Sequence, residues 1–378
     1  MALTSIPAPT PKSVLFTTLK WLKRILTGTL ILILLLVLVV LTGGYLYSGP
    51  QYQGPVTDHF DGERFYNPGG ALTDKSFKDF IRWRFNRKVG PWRDWVPASP
   101  GKPPPISVTG DKLRVTYVNH ATVLLQMSGG NILTDPIWSE RASPISWIGP
   151  RRVRPPGIRF EDLPPIDAVV ISHNHYDHLD LPTLVRLRNK HNPVFVVQLG
   201  NKLLLQKYGF KKIVELDWWE KTNIVPGISI YSTPSQHFSS RGFFDRNATL
   251  WGGYVIDGPG GRVFFGGDTG MGPHFDSIRK RFSPLRLALL PIGAFRPEWF
   301  MKESHMSPLQ AIDAHLKLQA QTSMAMHYGT FHLGDDGETE PVERWRDIIR
   351  ENGLKESRLW VLNFGEGRDV PAVISTRN

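Results

Sequence analysis

Apolar and polar residues are distributed very unevenly along this 378-residue chain. From Ile25 to Tyr47 runs ILTGTLILILLLVLVVLTGGYLY, and no charge occurs between Arg24 and Asp58. At ~1.5 Å rise per residue, such a helix spans roughly 34 Å, enough to cross the apolar layer of a bilayer. Lys12, Lys20, Lys23 and Arg24 precede it with Trp21, and Tyr45 and Tyr47 close it. Cations on one flank and aromatic residues at both ends predict a single-pass anchor. Residues 1–24 would then be a basic cytoplasmic N-terminus, residues 25–47 a transmembrane helix, and the rest of the chain non-cytoplasmic (periplasmic in a bacterium). A cleaved signal peptide is the rival reading; the long apolar run and the lack of an A-x-A site favour an uncleaved anchor.

Residues 48–105 read as a membrane-proximal arm, punctuated by Pro50, Pro55, Pro68 and Pro103-Pro104-Pro105. Within it Phe77, Phe80, Ile81 and Phe85 recur at helical spacing behind Ser76, a suitable N-cap. That helix either rests on a membrane surface or packs on its own domain. Residues 106–378 change character, to short strands, glycine turns and a few helices. KLRVTYVN, TVLLQM and NILTDP predict consecutive strands with a turn at Gly129-Gly130. DAVVIS (Asp167–Ser172) is continuously apolar, as a strand covered on both faces would be. WGGYVID and RVFFGGD pair about Gly258–Gly261, and Ser307–Gln319 and Pro341–Asn352 read as amphipathic helices.

Charge sharpens this division. Residues 1–105 hold 13 Lys/Arg against 6 Asp/Glu, whereas the remainder holds 32 against 28. The basic excess lies beside the apolar segment, which suits anionic lipid headgroups. A nucleic-acid partner would instead require a basic groove in the catalytic part, so none is expected. The chain contains no Cys. Disulfides, thiolate ligands and a Cys nucleophile are thereby excluded, and any metal must be held by His and carboxylates.

The chemistry is concentrated just after DAVVIS, in His173-Asn174-His175-Tyr176-Asp177-His178. A strand ending in a tight loop aims alternate side chains at one point. His173 and His175 can face one metal while Asp177 and His178 face a second. Imidazole and carboxylate suit Zn²⁺, with Mn²⁺ or Fe also compatible. Downstream, His237 in TPSQH, Asp268 closing RVFFGGD and His327 ending TSMAMH each follow a β-rich run, so all can meet at one sheet rim. A carboxylate there, Asp268, has two oxygens with which to bridge two cations. Asp135 and His120 read as partners that orient ligands, and Trp218 and Trp219 as core. His59, His191, His274, His315 and His332 read as surface or structural.

The ordered set H-x-H-x-D-H, then His, Asp and His, resembles the metallo-β-lactamase superfamily. More narrowly, residues from about Arg64 to Arg368, about four-fifths of the chain, resemble N-acyl-phosphatidylethanolamine-hydrolysing phospholipases D. HATVLLQM, LTDPIWSERASP, LPPIDAVVISHNHYDHLD, ELDWWE, TPSQH, GGDTG, LLPIGAF, WFMKESHMSP and MHYGTF carry the likeness. The resemblance implies an α/β fold, an αββα metallo-β-lactamase sandwich; the N-terminal transmembrane helix, read from the apolar run, is where this chain departs from the animal enzymes. It implies two zinc ions, one held by His173, His175 and His237, the other by Asp177, His178 and His327, with Asp268 between them. It implies a water activated by the pair as nucleophile, with Asp177 orienting it or taking its proton. His305, in KESHMSP, would stand near the phosphate and serve the leaving oxygen; Tyr176, on its own position, reads either as a substrate contact or as a partner that supports a ligand. The implied reaction cleaves a phospholipid to phosphatidic acid and an N-acylethanolamine; a homodimer is compatible with it. Rival readings keep the fold but change the substrate to a lactone or soluble phosphodiester, or make the chain a scaffold with structural zinc or a nuclease.

Overall fold

The computed structural model of the chain describes residues 11–373. They form two compact units, one made of the N-terminal helix and its flanks and a second that runs from Gly49 to Arg241 and resumes at Asp245. The helix, α1 (Pro11–Leu46), has 36 residues. It starts well before Ile25, because nothing between Ser13 and Arg24 interrupts helix formation: the stretch has neither Gly nor Pro. By length and composition, Val14–Leu46 is a candidate membrane span with mean hydropathy 3.0, and its apolar side chains are exposed.

In the second unit, two mixed seven-stranded sheets stack face to face. One contains β1 (Leu113–Asn119), β2 (Thr122–Met127), β3 (Gly130–Thr134), β4 (Ala168–Ile171), β5 (Val194–Gln198), β6 (Ile213–Leu216) and, beside β1, β14 (Gly367–Asp369). The other runs in the order β13 (Leu359–Trp360), β12 (Thr322–Met326), β11 (Leu287–Pro291), β10 (Gly261–Phe265), β9 (Gly253–Gly258), β8 (Ile228–Thr233), β7 (Lys221–Val225). The hairpins expected at β1–β3 and at β9–β10 are antiparallel, whereas β3–β4–β5–β6 and β10–β11–β12–β13 are parallel.

Alternation along β4 explains why DAVVIS is apolar throughout. Ala168 and Val170 join the core between the sheets, while Val169 and Ile171 face an outer layer with α3 (Leu181–His191) and α4 (Asn201–Lys207). The opposite sheet is covered by α5 (His274–Phe282), α7 (Pro308–Leu318) and α8 (Glu340–Glu351), whose Phe275, Ile312 and Trp345 enter the inter-sheet cluster. Ser307 and Gln310 close α7 with a reciprocal capping box, which fixes where the helix begins. The layers are helix, sheet, sheet, helix, an α/β sandwich as expected.

The segment from Gly49 to Ile106 wraps this sandwich. Phe60 and Phe65 bury against Leu250 and Trp251. Further on, Arg87 pairs with Asp335 at 2.6 Å and Arg93 with Glu338 at 2.6 Å. Between these anchors lies α2 (Phe77–Phe85), opened by a Ser76–Asp79 capping box. Its Trp83 stacks on Phe300 of α6 (Glu298–Met301), so α2 packs on its own domain, while Phe77 and Phe85 stay exposed.

Trp345 is fully buried among the residues that tie α8 to the second sheet. Trp345→Ala is expected to destabilise this unit by about 3–5 kcal/mol. Urea unfolding followed by far-UV circular dichroism checks this, and a loss below about 1 kcal/mol would mean that α8 is held by other contacts.

Candidate metal centre

The ends of parallel strands bring the chemistry together. The His173–His178 loop leaves the end of β4, His237 follows β8, Asp268 follows β10, and His327 is the residue after β12. All seven residues anticipated as ligands therefore share one rim. Close packing there depends on glycine. A side chain on Gly267 would come within 2.5 Å of Ser172 Cβ, and one on Gly293 would collide with the His327 carbonyl. Gly267 also has φ +57°, a conformation glycine adopts readily.

Two groups form within the cluster. In the first, His175 Nδ1 lies 2.8 Å from His173 Nε2 and 3.3 Å from His237 Nε2. In the second, Asp177 Oδ2 lies 3.2 Å from His178 Nε2 and 3.6 Å from His327 Nε2. Asp268 stands between them, its Oδ2 at 3.2 Å from both His178 and His327 and 3.9 Å from His237. The donor set suits a cation physically. His178 Nε2, His327 Nε2 and Asp268 Oδ1 are buried with no hydrogen-bond partner, as inward-facing ligand atoms would be.

Outer partners orient these rings. Asp135 Oδ2 accepts from His178 Nδ1 at 2.6 Å and from the Ser172 hydroxyl at 2.5 Å. The same hydroxyl meets His173 Nδ1 at 2.9 Å, and His237 Nδ1 donates to the Ser304 carbonyl at 2.9 Å. With Nδ1 occupied in this way, the Nε2 lone pairs of these three imidazoles face the cluster. Ser304 and Ser172 carried no sequence signal for this role, because a backbone carbonyl and a hydroxyl look alike everywhere in a chain. Asn67, from the wrapping segment, accepts from the His237 backbone N–H at 2.9 Å and from the Trp251 indole at 3.0 Å.

His120 is more intimate with the centre than an orienting residue read from sequence. Its Nε2 is 2.9 Å from Asp177 Oδ2 and its ring lies 3.9 Å from that of His327. Burial pushes its pKa down to about 3, so it is neutral and donates to Asp177. His305 lies at the mouth, with Nδ1 3.8 Å from Asp268 Oδ2. Burial lowers it to about 4, against the pull of Asp268, which leaves a neutral imidazole. Tyr176 faces elsewhere: it packs on the Ile137–Ala142–Phe331 cluster with the Arg241 guanidinium 3.9 Å above its ring. Of the histidines set aside from sequence, His274 and His315 are buried outside the cluster.

Opposite charges within the cluster shift one another. Burial alone would raise Asp268 and Asp177, but neighbouring imidazoles, His178 foremost, hold both well below the ordinary carboxylate value. Burial would likewise lower His327, yet Asp268 and Asp177 lift it to about 9. By contrast His173, His175 and His237 are pushed down by burial and present neutral nitrogen donors.

A cavity of about 340 Å³ opens above this centre. His175, Asp177, Asp268 and His305 line it alongside Phe80, Phe238, Ala294, Phe300, Met301 and Leu333, with Lys75 and Arg246 as its cations. A polar floor under an apolar wall suits a ligand that carries both a charged group and hydrocarbon.

A family model described as "Beta-lactamase superfamily domain" matches residues 130–328. The chain is 37% identical over 267 residues to "N-acyl-phosphatidylethanolamine-hydrolyzing phospholipase D 1" of Caenorhabditis elegans, covering 67% of this chain and 75% of that protein. It is 33% identical over 247 residues to the mitochondrial protein of that activity name from Saccharomyces cerevisiae, covering 64% of this chain and 53% of the relative. A metallo hydrolase from Ignicoccus hospitalis superposes with TM-score 0.51 at 24% identity, over 69% of this chain and 99% of that one, a likeness of fold.

Asp135→Asn keeps the shape of the residue but turns a donor toward His178 Nδ1. Metal affinity is expected to fall about 10–100-fold with the fold intact. Competition against a chromophoric chelator measures it; unchanged affinity would remove Asp135 from the centre.

Proposed function

This chain belongs to the metallo-β-lactamase superfamily and is a metal-dependent hydrolase, and from that premise we propose that it is a dinuclear-zinc phosphodiesterase acting on N-acyl-phosphatidylethanolamine-type phospholipids. The products are phosphatidic acid and an N-acylethanolamine. The observation that carries this reading is the cavity itself. Two carboxylates and two imidazoles line its floor, two cations suit a phosphate, and aromatic and aliphatic side chains suit acyl chains. A soluble phosphodiester or a small lactone would have no use for so apolar a wall.

In this reading His173, His175 and His237 hold one zinc ion, Asp177, His178 and His327 the other, and Asp268 is shared. The ion pair, when bound, supplies an activated water at neutral pH and withdraws charge from the phosphate. The chain's own groups do the rest. Asp177, steadied by the His120 Nε2–H, orients the attacking water and receives its proton. Lys75 and Arg246 draw the phosphate inward, while Phe80, Phe238 and Phe300 exclude water around the acyl chains. The water oxygen bonds to phosphorus as the bond from phosphorus to the ethanolamine oxygen breaks. The proton taken by Asp177 passes through solvent to that leaving oxygen, to which neutral His305, at the mouth, donates an N–H hydrogen bond.

The substrate is a membrane lipid, and α1 has the length and composition to keep the enzyme beside it. The lysines and arginine before Ile25 favour a cytoplasmic N-terminus, with the hydrolase domain, 106–378, on the other side.

Detergent-solubilised protein is expected to release N-acylethanolamine from N-acyl-phosphatidylethanolamine, with chelation abolishing turnover and zinc restoring it. His173→Ala and Asp268→Ala should each lower the rate by about 10³-fold or more. Faster turnover of a lactone panel, with the lipid untouched, would replace this substrate class. His305→Ala should reduce kcat by about 10²-fold with metal content unchanged. Wild-type kcat in that variant would remove His305 from the chemistry.

A further inference from the structure

Beyond the catalytic cavity, a second one of about 380 Å³ lies beside α2, walled by Arg82, Trp83, Lys88, Arg296, Trp299 and Asp335. We infer that it binds the phosphate group of an anionic phospholipid, separately from the substrate.

Charge and hydrogen bonding point to an anion. The nearby carboxylates are already engaged: Asp335 holds Arg87 at 2.6 Å, and Glu340 holds Arg296 at 2.8 Å. Arg82 and Lys88 enter no ion pair among the described residues; the Arg82 guanidinium lies 4.9 Å from the Trp299 ring centroid. The Trp83 and Trp299 rings stand beside these cations as walls of the same cavity. One oxyanion with several acceptor oxygens engages the guanidinium and the ammonium together. Phosphate has that shape, and arginine binds it through paired N–H groups.

Position favours a lipid as the source of that phosphate. Trp83 stacks on Phe300 at 5.0 Å and meets Phe80 edge-on at 5.9 Å, and both of those rings line the catalytic cavity. The two cavities are therefore separated by one layer of aromatic rings. On α2 itself Phe77 and Phe85 are 78% and 81% exposed, beside Arg82 and Arg84. Exposed phenyl rings next to arginines suit the boundary between headgroups and acyl chains. A headgroup held at this point fixes the mouth of the catalytic cavity against the lipid surface. None of this requires that the chain turn over any particular lipid.

The test uses the full chain, zinc-loaded, in detergent micelles, with bound short-chain phosphatidic acid counted by native mass spectrometry. Two molecules are expected per chain, one of them at the metal centre. Arg82→Gln/Lys88→Gln should weaken one adduct by at least about tenfold and leave the other, which also reports that the variant is folded. The metal-centre adduct is the one that disappears in His173→Ala, so failure of the catalytic reading is seen separately. Displacement of the second adduct by an equal concentration of inorganic phosphate would overturn the lipid and make this a free-phosphate site. Two undiminished adducts in the double variant would overturn the site altogether.

Discussion

Burying charge is the constraint around which this protein is organised. Asp177 and Asp268 are 9% and 3% exposed, and a lone ionised carboxylate is not stable in such a setting. Here each lies within 4 Å of two or more imidazoles. The same arrangement is a set of converging lone pairs for a divalent cation. A cluster that holds a metal needs every ring in one orientation, since a flipped imidazole would present N–H where a lone pair is required.

That requirement explains the amount of structure around the cluster. Asp135, Ser172 and the Ser304 carbonyl each restrain an imidazole, and Asn67 restrains the backbone of His237. They come from a strand end, a loop on the far side of the mouth and the segment that wraps the sandwich. Parallel strands make the convergence feasible, because their carboxyl ends share one edge of each sheet and the two sheets place those edges together. The glycines at Gly267 and Gly293 let the loops approach closely enough for rings to touch.

Around the polar floor the character of the surface changes. Phe80, Phe300 and Met301 rise from α2 and α6, elements outside the sandwich proper, so the scaffold can keep its metal chemistry while these elements decide what enters. The α2 helix serves two cavities at once. Its Phe80 faces the catalytic one and its Arg82 the basic one, with Trp83 between them.

Much of this could be read from residue order. The apolar run of α1, the β1–β3 and β9–β10 hairpins and the capped helices α2 and α7 are local features, governed by periodicity and by residues a few positions apart. His173–His178 was legible because its ligands lie within six residues, and His237, Asp268 and His327 because each follows a β-rich run. Other features depend on contacts across long separations, which no local pattern encodes. The pairing of His120 with Asp177, the Ser304 carbonyl on His237 and the packing of Tyr176 beneath Arg241 arise only when loops from distant strands fold together. So does the second cavity: most of its walls are polar side chains of ordinary appearance, and only the fold brings them around one space.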